Sequence, residues 1–480
     1  MKKVLIFTGL TWCIFIGLFS QNYEWGFGIG SSNGDLGYAI DKDSEGNVYI
    51  TGQFEGTVDF NPGGTVSNLT SNGGSDIFVA KYDSLGNYIW AIKMGGPNYD
   101  AGNDIIINNA GDIIVVGRYN GTADFDPTGG TYNLTSVNGT DGFFARYTSS
   151  GSLVWAKSIG GKGTLDITGV TVDASDYISV TGYFSDSADF MPGGSSAYLV
   201  GIGLADGFVA RYTSSGSYFW ANIISGSDWV FGYDLDADPD GKVVATGFFK
   251  GTIDCDPFGT YNLTASSEDA YIVKYNTGGT LAWANQIGGG GDQTGSDIIT
   301  DNSGNIYLTG NYHASTDMDP GAGEYILQHN GESDIFIAKY NSSFSFQWAS
   351  AISGSYSDNS KGICLDENNN VYIIGNFKNT TKINTGIEEI NLTSNGFIDI
   401  ILAKFNNSGN YKWTVNIGSD TTDYGYKLTV LPSGKVFYTG TYDHNDADID
   451  PGSGITTIAN SVEEDFIVAC LNQQPNIEIQ

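Results

Sequence analysis

The sequence predicts an all-β protein: a seven-bladed β-propeller, four antiparallel strands per blade, with the last blade closed by the N-terminal strand. Three recurrences within its 480 residues predict this. Tryptophan returns at Trp25, Trp90, Trp155, Trp220, Trp283, Trp348 and Trp413, at spacings of 65, 65, 65, 63, 65 and 65. A glycine after Thr, Val or Ile keeps step at Gly52, Gly117, Gly182, Gly247, Gly310, Gly375 and Gly440. An aspartate opens an apolar run at Asp76, Asp141, Asp206, Asp269, Asp334, Asp399 and Asp465. A fixed period of this length signals repeated structural units rather than independent domains.

Each unit holds four strand-like runs. In the first they are LGYAIDKD, VYITGQF, DIFVAKY and YIWAIKM, here termed a to d. Tight turns rich in Gly and Asn join a to b and c to d, the chemistry that hairpins require. Strand b is apolar on both faces, with Val48, Ile50 and Phe54 alternating with Tyr49 and Thr51. Such a strand needs a layer above and below, which radially stacked blades supply.

The phase of the repeat predicts closure. The chain enters on a d strand, Tyr23-Glu24-Trp25-Gly26-Phe27, and leaves on a c strand, Asp465-Phe466-Ile467-Val468-Ala469. Pairing the two completes the last blade and removes open edges; a linear solenoid would need polar caps, which are not evident. The domain reading is a signal peptide over 1–20, the propeller over 21–472 and a short tail over 473–480. The leader rests on Lys2 and Lys3, an apolar stretch over 4–19 and the Ser20-Gln21 step. That stretch is too short to span a bilayer, so the expected location is secreted, extracellular or cell-surface, with no membrane span.

Composition narrows the partners. The chain has 54 acidic and 21 basic residues, a net charge of −33, which repels phosphate backbones and excludes nucleic acid. Beyond the leader, Cys255, Cys364 and Cys470 are too few and too scattered for a disulfide framework or a zinc site. Packing must supply the stability, and a monomer is expected.

Units of the form GNVYITGQF…SDIFVAKYDSLGNYIWA resemble the SBBP-type seven-bladed propeller repeat of secreted bacterial proteins. The resemblance covers residues 23–471 and implies the same architecture. It also implies a surface or matrix role rather than a particular chemistry.

Candidate site residues lie on the face that carries the b–c and d–a loops. The b–c loops repeat D-x-[D/N]-P, placing Asp59, Asp124, Asp126, Asp254, Asp256, Asp317, Asp319, Asp448 and Asp450 as candidate ligands of calcium. Residues i and i+2 of an extended chain point the same way, so two carboxylates would face one hard cation. The competing reading is a turn whose aspartate satisfies nearby backbone amides. The d–a loops contribute Asp35, Asp100, Asp228, Asp292, Asp358 and Asp423, either a ring of charge at the channel mouth or turn caps. Trp229 breaks the repeat and is a candidate ligand contact beside Asp228. The seven repeating tryptophans read as packing between blades, with a sugar pocket as the alternative.

No G-x-S-x-G, H-E-x-x-H or Walker sequence occurs, and His313, His329 and His444 map to b–c loops in two blades. The function expected is therefore non-enzymatic: a binding, adhesion or matrix module for an extracellular glycan or protein, with calcium as a stabilising ion. The alternatives are a glycosidase or lyase at the channel mouth and a purely structural spacer.

Overall fold

The computed structural model describes residues 19–384, 389–442, 448–451, 456, 458 and 464–475. Most of the expected leader (1–18), the end of the tail (476–480) and His444 lie outside the described residues. All regular structure among the described residues is β-strand. Strands Leu36–Lys42, Val48–Phe54, Asp76–Tyr82 and Tyr88–Met94 pair in that order, each antiparallel to the next. They realise the a, b, c and d runs of the first unit, and the same ladder recurs along the chain. Val48, Tyr49, Ile50 and Phe54 are fully buried, because the strand is covered on both faces.

The inner strands are Leu36–Lys42, Ala101–Ile107, Leu165–Val172, Val230–Ala237, Gln293–Thr300, Asp358–Leu365 and Asp423–Val430. Each touches the next in chain order, and the last touches the first. The N-terminal strand Phe19–Ile29 pairs antiparallel with Asp465–Pro475, in a register that sets Gly26 opposite Ala469 and Phe27 opposite Val468. That last strand runs on to Pro475, beyond the expected boundary at 472.

Two local devices explain the sequence marks. The first is a β-bulge in every inner strand, between Gly37 and Ala39 in the first and at the equivalent step in the others. There the inner carbonyl presses on the repeating glycine. A Cβ on Gly52 would lie 1.8 Å from the Leu36 carbonyl oxygen, and one on Gly247 1.8 Å from that of Phe231. Only glycine fits. The second is the repeating tryptophan, which lies over the c–d turn of the next ladder. Trp348 donates its Nε1–H to the Asn407 carbonyl at 3.0 Å, and its ring lies over Gly409, whose φ is +78°. Trp25 and Trp220 do the same to Ser84 and Thr277.

Neighbouring ladders are also stapled at their outer corners. The b–c excursion folds into a hairpin whose first strand pairs with strand d of the preceding ladder, as in Gly160 with Asp189, Ser225 with Asp254 and Ile352 with Ile383. Some sheets therefore run to six or eight strands rather than the four expected.

Candidate functional site

The D-x-[D/N]-P aspartates close these corner hairpins. Asp59, Asp124, Asp254, Asp317 and Asp448 each accept, through Oδ1, the amide two residues on and a second amide from the returning strand. For Asp124 the donors are Asp126 N at 3.0 Å and Tyr132 N at 2.8 Å. The second aspartates cap a further turn: Asp126 accepts from Thr128, Asp256 from Phe258 and Asp319 from Gly321. Asp450 supplies the amide that Asp448 accepts. The chain turns here rather than running extended, so the carboxylates meet backbone. No group of three His, Cys, Asp or Glu able to hold a metal ion occurs among the described residues.

The d–a aspartates split into two sets. Asp35, Asp100, Asp358 and Asp423 are fully buried. Asp35 accepts the amides of Ser31 and Glu55, and Asp100 those of Gly96 and Asn120. Asp358 accepts the Thr381 hydroxyl at 2.7 Å, and Asp423 accepts Ser419 N and Oγ. Burial pushes Asp35 and Asp100 up to about 6 and Asp358 up to about 8. Asp228 and Asp292 stand off this phase and come together near Glu268. The Glu268 amide donates to Asp292 Oδ1 at 3.2 Å, and the Asp292 carbonyl accepts His313 N at 2.9 Å. Burial and then the charge of Asp292 raise Glu268, opposed by Lys250 and His313, with Asp228 raising it further.

The least repetitive side chains line the channel. Register fixes the positions: the residue two before the bulged one, its partner on strand b, and the bulged residue itself, which such irregularities re-aim. Around the ring the strand-b partner is Gln53, Arg118, Tyr183, Phe248, Asn311, Asn376 and Thr441. Arg118 donates to Asp166 Oδ2 at 2.8 Å, and Asn103 donates to Asp166 Oδ1 at 2.6 Å. Burial raises Asp166, while the Arg118 guanidinium pulls it back. Beside this pair, Tyr183 meets Phe231 at 4.2 Å between centroids. Phe231 stacks on Phe248 at 5.1 Å and 6°, and Trp229 stacks on Phe231 at 5.4 Å and 15°. Trp229 is 43% exposed. The predicted Trp229 thus ends an aromatic stack that enters the channel.

One step further along the inner strands lies a charged cluster contributed by four ladders. Lys427 reaches Asp297 Oδ2 at 3.0 Å and Asp234 Oδ1 at 3.9 Å. Asp104, at the same position of its own ladder, joins their electrostatic field. Burial alone would depress Lys427, but Asp234, Asp297 and Asp104 outweigh it and hold the ammonium above its ordinary value. Burial pushes Asp104 up to about 6 despite Lys427, and burial followed by Asp297 raises Asp234 further.

Sequence reasoning missed Arg118, Asn103, Tyr183, Phe231, Phe248 and the Lys427 cluster. The signal was available: aligning the units on the repeating glycine and reading across the adjacent positions isolates these residues as the ones that change.

The β-propeller repeat profile SBBP matches residues 282–311, which span an outer strand, the next inner strand and the strand b beyond it. The chain is a β-propeller repeat protein. An uncharacterized WD repeat-containing protein of Acanthamoeba polyphaga mimivirus is 24% identical to this propeller over 498 residues, covering 87% of this chain and 36% of the relative. The propeller thus spans about a third of that relative's length. Among solved structures, streptogramin B lyase aligns at a TM-score of 0.42 and 9% identity, over 95% of this chain and 98% of its own. The Neurospora crassa Pan2 WD40 domain aligns at 0.39 and 9% identity, over 93% and 92%.

Proposed function

We propose that this chain is an exported, monomeric seven-bladed β-propeller that acts as a non-enzymatic binding module. Its ligand, an extracellular glycan or protein, is taken at the channel mouth on the face of the long loops. The cyclic contact of the inner strands supports the seven-bladed ring, and the leader-like residues 1–20 support export. One observation carries the binding reading: side chains repeat almost everywhere except at the channel-lining positions. There the Trp229–Phe231–Phe248 stack stands beside the Arg118–Asp166 pair. Aromatic faces next to a charged pair suit a ligand with apolar faces and polar edges.

A glycan array and a panel of extracellular matrix proteins, probed with wild type and with the Phe231→Ser and Arg118→Ala variants, test this. The expected outcome is a wild-type signal lost in both variants at unchanged melting temperature. Signals equal in all three proteins refute the mouth as the site, and no signal anywhere points to a spacer. Calcium is tested alongside: a melting temperature raised by millimolar Ca²⁺ and lowered by chelator follows from binding to the folded state. The absence of any shift removes the ion.

A second reading, a carbohydrate-active enzyme at the same mouth, draws support from the grouping of Glu268, Asp228, Asp292 and His313. It predicts cleavage of a polysaccharide by wild type and its loss in Glu268→Gln.

A further inference from the structure

The corner hairpins repeat a polar returning strand: Asn68-Leu69-Thr70, Asn133-Leu134-Thr135, Asn262-Leu263-Thr264 and Asn391-Leu392-Thr393. Its threonine hydrogen bonds across the hairpin, Thr57 with Thr70 at 2.8 Å and Thr122 with Thr135 at 2.9 Å. The third hairpin departs from this. Its returning strand, Tyr198–Val200, reads Tyr-Leu-Val and continues into Gly201-Ile202-Gly203-Leu204. Val200 faces Ser187, so the threonine pair is gone. Tyr198, Val200, Ile202 and Leu204 are 60, 66, 71 and 61% exposed. Tyr198 and Val200, two apart on the strand, point the same way, and Ile202 and Leu204 continue the exposed apolar stretch where the chain leaves it.

Tyr198 and Val200 lie on an open sheet edge. The sheet order is Ala101–Ile107, Ile113–Asp124, Asn133–Tyr147, Leu153–Gly161, Ser187–Asp189 and, outermost, Tyr198–Val200. The Ala197 carbonyl accepts Phe190 N at 3.1 Å, and Gly201 N donates to the Asp186 carbonyl at 2.7 Å. Backbone groups alternate in direction along an antiparallel strand, so those of Tyr198 and Val200 face outward. The outermost strand of the other six-stranded sheet, Glu389–Thr393, instead exposes Glu389, Asn391 and Thr393. That polar dressing is what discourages pairing at an edge. Asp186 is exposed beside this edge, as is one cation, Lys162, whose amide donates to the Ser187 carbonyl.

We propose that the Tyr198–Val200 edge captures an extended, cationic segment of a partner protein by strand addition. Backbone hydrogen bonds would supply the pairing, and alternate apolar side chains would lie on Tyr198 and Val200. The charge selects the occupant. A surface carrying −33 overall attracts a strand flanked by Lys and Arg and repels a second copy of itself.

The test titrates a short peptide of alternating Lys and Val, and the same peptide with proline at its centre, into wild type and a Tyr198→Asn/Val200→Thr variant. That variant restores the chain's own polar pattern at this hairpin. Binding is read by calorimetry, assembly by sedimentation and folding by melting temperature. The expected result is binding of the first peptide only, weakened at least about tenfold in the variant and weakened by salt. A Phe231→Ser protein should bind it as wild type does, which separates this edge from the channel mouth. Equal affinity for wild type and the double variant, or no binding to wild type, overturns the proposal. Wild-type dimerisation that the variant abolishes also overturns it, by giving the edge to a second copy.

Discussion

Asp35 and Asp100 sit without solvent contact and titrate at about 6, because burial penalises their charged form more than their amide donors repay. Asp465 reaches about 7 through burial and the charge of Asp35, and Asp358 about 8. A carboxyl whose folded value is raised contributes stability below its unfolded value, and that contribution is lost as pH rises through the folded one. The melting temperature should therefore climb by several degrees from pH 8.5 to pH 5.5, as read by circular dichroism. Asp358→Asn should raise it at pH 8 and flatten the upper part of the profile. Asp43, Asp301 and Asp366 act in the opposite direction, since asparagine donors outweigh burial and hold them low. Their contribution is lost only below the ordinary carboxylate range, outside this window. Asp124→Ala leaves two amide donors, those of Asp126 and Tyr132, without their acceptor and should cost about 1–3 kcal/mol in urea melts.

Between elements, the recurring contact is a tryptophan of one ladder laid over the c–d turn of the next. A Cβ at Gly409 would sit 2.6 Å from Trp348 Cδ2 on a backbone at φ +78°. Gly409→Ala should thus cost about 1–3 kcal/mol, measured by denaturant unfolding. The exception shows what the position tolerates: Phe344 occupies it at φ +61° and packs against Trp283 at 5.0 Å. This level was largely legible beforehand. Trp25 to Trp413 and Gly52 to Gly440 recur because every interface poses the same steric problem, so one solution is written seven times. The corner aspartates were less legible. The i, i+2 rule of an extended chain was applied to Asp124 and Asp126, but the Asp126 amide folds back onto Asp124. Local hydrogen bonding, which such a rule ignores, decides where those carboxylates point.

Across the whole molecule, Lys427 of the last ladder spans the channel to Asp234 and Asp297 on ladders far from it in sequence. Its side chain is 26% exposed, so removing it should cost somewhat less than a fully buried pair, about 2–4 kcal/mol for Lys427→Met. Adding Asp297→Asn should recover part of the loss, which chemical denaturation would register. Aligning the repeats marks its members one by one, but no local pattern shows that they meet, because they do so only once the inner strands surround a common axis. The same holds for Arg118 and Asp166, 48 positions apart. Closure itself is testable. Deleting residues 19–29 bares the Asp465–Pro475 edge and should produce concentration-dependent oligomers, read by size-exclusion chromatography with light scattering.

The pairing of Phe19–Ile29 with Asp465–Pro475 also imposes an order in time. Glu24 and Cys470, 3.8 Å apart in the folded protein, are separated by 446 positions. At a synthesis rate of ~5–20 residues per second, the earliest strand waits on the order of a minute for its partner to be made. Throughout that interval it must be kept from mispairing with other newly exposed strands. The final ladder therefore forms last, whichever ladders fold before it, and its assembly sets the moment at which the whole ring gains cooperativity.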